Sequence, residues 1–144
     1  MIAVDTNIVL RRLLGDDDRQ VARARKLFEM EQRVLITDVV LVETIRTLRG
    51  KRYNAQRDDI IAVVVSLLEE PNVIFEDQQA VWSALNEYAA ARSVKTANGN
   101  KTVDFADALI VYKAQACAKE LGEEIEAVYT FDQAALEITG MKVP

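Results

Sequence analysis

Histidine is absent from the chain, and with it go the imidazole general base, the Ser-His and Cys-His nucleophile pairs and nearly every zinc site. A single cysteine, Cys117, excludes an internal disulfide; its setting in AQACAKEL predicts a small buried residue on a helix, and a reducing, cytoplasmic setting is expected. No apolar run approaches the ~18–20 residues needed to span a bilayer, and the start carries neither a basic leader nor a cleavage site, so no membrane association or secretion is expected. The five glycines form neither GxGxxG nor GxxxxGK[ST], which removes the familiar phosphate-cradling loops.

What remains is an ordinary globular composition, 144 residues with 50% apolar and 28% charged, long enough for one domain with a substantial core. A net charge of −5 argues against non-specific nucleic-acid binding by the whole surface, though not against a local basic rim. Four short apolar runs, Ile2–Val4, Val34–Ile36, Val73–Phe75 and Ala127–Tyr129, alternate with segments of helical periodicity. That alternation predicts an α/β fold with a parallel sheet covered by helices.

Asp17 and Gln20 fit a capping box for a helix with Val21, Ala24, Leu27 and Phe28 on one face. Val39–Leu48 reads as a helix capped by Asp38. Asp58–Glu69 is rich in β-branched residues, but Ile60, Ile61, Val64, Leu67 and Leu68 keep helical spacing. Helices are expected over Gln78–Arg92 and over Phe105–Leu121, the latter ended by Gly122. KTANGNKT, residues 95–102, reads as a loop between those two helices with a turn at Asn98-Gly99.

In an open parallel sheet, ligands bind beyond the C-terminal ends of the strands. Asp5 and Asn7 follow the first run, Asp38 and Glu43 the second, and Asp132 the last, while Asp104 and Asp107 share one face at a helix start. Asp5, Asp38, Asp104 and Asp132 each also fit a helix cap. Glu43 does not, because it interrupts the apolar VVLVETI beyond the first turn. Carboxylates ~5 Å apart repel by about 3 kcal/mol per pair at an effective dielectric near 20, so a cluster of them takes up protons or holds a cation. Oxygen-only ligands select Mg²⁺ or Mn²⁺, and such an ion with an activated water supports phosphodiester hydrolysis without histidine.

At these residues, in AVDTNIVLR, LVETIRTL, VDFADALI and YTFD, the sequence resembles the PIN-domain family, specifically VapC-type toxin ribonucleases of bacterial or archaeal toxin–antitoxin pairs. The likeness covers essentially the whole chain. It implies a three-layer α/β/α fold around a central parallel sheet of four to five strands, and a Mg²⁺- or Mn²⁺-dependent endoribonuclease. The family's acids match Asp5, Glu43, Asp107 and Asp132; Asn7 and Thr130 match positions that support the metal shell or its water. Asp104 reads mainly as the cap of its helix, in a supporting role. The resemblance further implies products with 5′-phosphate and 3′-hydroxyl ends, a homodimer, and an antitoxin whose tail blocks the site. Asp58–Leu68 and Trp82 are candidate contacts for those partners, with burial in the core as the simpler account.

Basic residues gather near the same segments: Arg11 and Arg12, then Arg46, Arg49, Lys51 and Arg52, then Lys95 and Lys101. Arg11, Arg46, Arg49 and Arg52 are the candidates for holding an RNA backbone, although Arg46 could simply pair with Glu43. Three other readings compete. A receiver-type phosphoacceptor domain would use Asp77, but it wants a pair of acids where only Asp5 stands and a lysine for which only Lys142 is available. A catalytically inactive PIN-like module binding RNA or protein would not need all four acids. A DNA nuclease could use the same acids, but there is no helix-turn-helix, zinc knuckle or basic tail.

Overall fold

A computed structural model of the chain describes residues 1–15 and 18–144. The Asp17–Gln20 capping box lies outside the described residues. By its internal packing the chain divides into two compact units, Met1–Gln78 and Gln79–Pro144. Among the described residues, no helix is long and apolar enough to cross a membrane.

The first unit is built on one parallel sheet, ordered β1 (Ile2–Ala3), β2 (Val34–Ile36) and β3 (Val73–Phe75). Ile2 lies opposite Val34, Val34 opposite Val73 and Ile36 opposite Phe75, and the side chains of Val34, Ile36, Val73 and Phe75 are buried. Short apolar runs of this kind are what a strand covered on both faces requires. Around it lie α1 (Thr6–Leu14), α2 (Asp18–Glu29), α3 (Asp38–Arg49) and α4 (Arg57–Glu69). Val21, Ala24 and Phe28 of α2 are buried, as the spacing predicts, and Arg12 pairs with Glu70 while its guanidinium lies over the Phe28 ring.

The β-branched stretch after Asp58 is a helix, burying Ile60, Val64 and Leu67. Gln56 and Asp59 open it with a capping box, the Gln56 N–H donating to Asp59 Oδ2 at 2.8 Å. One cap moves: Thr37, not Asp38, caps α3, its Oγ1 accepting from the Val40 N–H at 3.4 Å, and Asp38 sits in the first turn. Both residue types cap well, so the sequence left the boundary open by one position.

In the second unit α5 (Gln78–Ala90) and α6 (Phe105–Glu120) supply Val81, Ala84, Leu85, Tyr88, Phe105, Ala108, Leu109 and Val111 to the core. Phe105 meets Tyr88 edge to face, with ring centroids 5.9 Å apart. The segment read as a plain loop is an antiparallel hairpin, β4 (Val94–Thr96) with β5 (Gly99–Lys101), turning through Gly99 at φ +99°. β6 (Val128–Tyr129) pairs in parallel with β7 (Met141–Lys142). Among the described residues the sheet of the first unit has three strands, fewer than the four to five expected, and β6 pairs with a C-terminal strand too short to show in the sequence. α6 ends at Gly122, φ +73°, as expected. Cys117 is exposed rather than buried, and Trp82 on α5 is 48% exposed rather than core.

Candidate active site

The candidate residues fall into two groups, one per unit. In the first unit the chain leaves β1 through buried Val4 and reaches Asp5 in an extended conformation, φ −93° and ψ 175°, before α1 begins. Asp5 is the cap: its Oδ1 accepts from the Ile8 N–H at 3.0 Å. That bond occupies one carboxylate oxygen and carries no bearing on the other, so capping and ligation do not compete. One residue on, the Thr6 hydroxyl donates to Glu43 Oε2 at 2.5 Å, tying the start of α1 to α3.

The buried face of α3 is Leu41, Thr44, Ile45 and Leu48, so the lone acid of VVLVETI points outward, where Thr6 holds it and Arg46 does not. The role of Thr6 was not read from the sequence, although it stands in the DTN stretch. At the ends of the neighbouring strands the Asp38 N–H donates to Glu76 Oε1 at 3.1 Å, which binds Glu76 into the backbone there. Asn7 is exposed beside these groups and lines a cleft with Arg11 and Arg52. Arg46 and Arg49 are exposed on α3 and do not line it.

In the second unit Asp104 caps α6 with φ −85° and ψ 150°, and Asp107 returns its carboxylate: the Asp104 N–H donates to Asp107 Oδ2 at 3.1 Å. The pair is a capping box, so both acids of VDFADAL have a structural task. Burial pushes the Asp107 carboxyl above its ordinary value, and the charges of Asp104 and Asp132 push the same way; the Asp104 N–H and Lys101 partly offset them.

Asp132 is held on both oxygens. Oδ2 accepts from Lys101 Nζ at 2.6 Å and Oδ1 from the Ala134 N–H at 2.9 Å, while the Asp132 N–H donates to Thr130 Oγ1 at 3.0 Å. The Lys101 hydrogen bond holds the Asp132 carboxyl below its usual range, and the same bond raises the Lys101 ammonium. Both groups are solvent-accessible, so salt screens the pair. Lys101 lies 31 residues from Asp132, a pairing no local pattern announces.

Replacing Lys101 with Met is expected to return Asp132 toward the ordinary carboxylate range and to raise Asp107 further. Carboxyl ¹³C shifts followed against pH would read both; an unmoved Asp132 would show that the ion pair does not persist in solution. The sign for folding follows: a depressed Asp132 stabilises the fold above its unfolded value, and that contribution is lost as pH falls through the folded one.

The donor chemistry suits a hard divalent cation, since every candidate ligand is an oxygen and positive charge would relieve the carboxyl of Asp107. Within each unit, among the described residues, no three Asp, Glu or Cys side chains are arranged to hold a metal ion by themselves. No curated protein matches the chain. Among solved structures, a Mycobacterium tuberculosis toxin, VapC20, described as cleaving the sarcin–ricin loop, is 17% identical over 94% of this chain and 93% of its own, with a TM-score of 0.39. A family model, the PIN domain, matches residues 2–140.

Proposed function

The chain belongs to the PIN-domain family, and on that premise we propose that it is a divalent-metal-dependent endoribonuclease, the toxin of a VapC-type toxin–antitoxin pair. The observation that carries this reading is the reach of the family match, residues 2–140, which takes in the positions of Asp5, Glu43, Asp107 and Asp132. It also sets aside the phosphoacceptor reading at Asp77.

In this proposal those four acids hold Mg²⁺ or Mn²⁺, with Asn7, Thr130 and Asp104 in support. When bound, the ion supplies an activated water and neutralises the non-bridging phosphate oxygens. The chain's own part is to hold the ligands. The Thr6 hydroxyl fixes Glu43, the Asp104 N–H fixes Asp107, and Thr130 with the Ala134 N–H fixes the turn that carries Asp132. Water attacks phosphorus, the P–O3′ bond breaks, and the 3′ oxygen leaves with a proton, giving 5′-phosphate and 3′-hydroxyl ends. A homodimer, a cognate antitoxin covering the site and a cytoplasmic location complete the proposal.

The test is cleavage of pooled cellular RNA by pure protein. Cutting with Mn²⁺ or Mg²⁺, its loss in EDTA, and products open to a 5′-phosphate-dependent exonuclease are the expected results. Cutting that persists in EDTA would overturn the metal mechanism. An inert protein that also binds no Mn²⁺ would be a binding module instead.

A further inference from the structure

Asn98-Gly99 sits at the tip of the hairpin in the second unit, where Thr96 pairs with Gly99 across the turn. We propose that this dipeptide is a self-modification site, at which Asn98 deamidates to aspartyl and isoaspartyl residues and so changes the hairpin that carries Lys101. The reaction needs neither a metal nor RNA and is independent of the nuclease reading.

The carboxamide of Asn98 is free to swing onto the main chain. Thr96 holds the turn with its hydroxyl, which accepts from the Asn98 N–H at 3.3 Å and donates to Gly99 O at 2.8 Å. The Asn98 side chain takes no part, and among the described residues nothing bonds its amide. The attacking nitrogen is reachable as well. Residue 99 has no side chain, and apart from its chain neighbours no atom lies within 4 Å of where a Cβ would stand. Its φ of +99° belongs to the region that glycine enters without steric cost. Residues 97–101 are all exposed, so water reaches the turn from outside.

Asn72 is the opposite case. Its Nδ2 donates to Phe28 O at 3.1 Å and to Met30 O at 2.6 Å, and β-branched Val73 follows it. Every asparagine of the chain other than Asn98 precedes a residue with a side chain.

The Gly99 nitrogen attacks Asn98 Cγ, a C–N bond closes a five-membered succinimide, and the Cγ–Nδ2 bond breaks. The proton from the Gly99 nitrogen leaves with the amide as ammonia. Water then opens the ring at either carbonyl. Ammonia is lost and water gained, so no oxidant or cofactor enters, and the chain becomes one unit more negative than its present −5.

The two products differ in geometry. Opening at Cγ leaves an aspartate on an unchanged backbone. Opening at the main-chain carbonyl routes the chain through the former side chain, one methylene longer. Turn length sets hairpin register, so the isoaspartyl form loses the pairing of Thr96 with Gly99 and of Val94 with Lys101. Lys101 is then released from the position that puts its Nζ 2.6 Å from Asp132 Oδ2.

The experiment incubates the full chain in mildly alkaline buffer made with ¹⁸O-labelled water and samples it over time. Digestion with trypsin in ordinary water cuts after Lys95 and Lys101 and isolates residues 96–101 for mass analysis. A synthetic peptide of residues 95–102 is the unfolded reference. Residues 96–101 should take up one ¹⁸O with loss of ammonia, at a rate within about tenfold of the peptide, a barrier difference of no more than about 1.4 kcal/mol. Residues 58–92, which hold Asn72, should stay unlabelled, as should residues 96–101 of Asn98→Gln, whose longer side chain closes a larger ring far more slowly. No label in residues 96–101 over the time in which the peptide converts completely overturns the site, as does equal labelling in Asn98→Gln. The isoaspartyl form, separated by ion exchange, should exchange the amide hydrogens of β4 and β5 faster than the unmodified protein, with α6 unchanged. Equal exchange at β4 and β5 overturns the release of Lys101.

Discussion

Asp107→Asn should reduce metal-dependent RNA cleavage by ~10³-fold, on the basis that a ligand to the ion is worth several kcal/mol of transition-state charge stabilisation and each 1.36 kcal/mol is tenfold. Asp104→Asn should leave most of the activity. The comparison is clean because neither change breaks the capping box. Asparagine at 107 keeps an oxygen to accept from the Asp104 N–H, the bond that now measures 3.1 Å, and asparagine at 104 is as good a helix cap as aspartate. Both variants should therefore melt within about 1 kcal/mol of wild type, so a lost activity reports the charge and not the fold. Isothermal titration with Mn²⁺ should show weakened binding in the first variant alone. If activity disappears only with Asp104→Asn, the ligand lies one helical turn from where it is placed here.

Phe105→Ala should cost about 3–5 kcal/mol of folding free energy, a large part of the roughly 5–15 kcal/mol available to a domain. Phe105 is completely buried and is the largest such side chain among the described residues. Its ring contributes both burial and the edge-to-face pairing with Tyr88, itself worth about 0.5–1.5 kcal/mol. It also stands between Asp104 and Asp107 as the first residue of α6, so an empty space there loosens the segment that presents both acids. Urea unfolding followed by far-ultraviolet circular dichroism should show a lower midpoint at nearly unchanged slope. Phe105→Leu should lose far less; equal losses would mean that ring geometry, not volume, governs the site.

The elements that were legible in the sequence are those whose burial writes itself into a local pattern. β2 and β3 begin and end where the apolar runs do, because both faces of those strands are covered. The elements that were not legible carry no such signature. β4 and β5 are exposed or half-exposed along their length, so only the turn between them showed. β7 is two residues whose pairing with β6 is a tertiary event.

Cys117 was misplaced because α6 is apolar or small almost all round, and a helix without a polar stripe does not reveal which side faces inward. At the candidate site the acids were named from spacing and resemblance, and the caps at Asp5 and Asp104 from their place before a helix, but the side chains that hold Glu43 and Asp132 were not. That Thr6 holds Glu43 and that Lys101 reaches Asp132 depend on contacts across 37 and 31 residues.

Trp82 is the chain's one tryptophan, and it stands 48% exposed on α5. Its indole already samples water in the folded protein, so intrinsic fluorescence barely distinguishes native from unfolded chain. Global unfolding has to be read from the peptide backbone instead. The emission is left as a quiet background against which the arrival of any partner on that face of α5 would register as a blue shift, with no label attached.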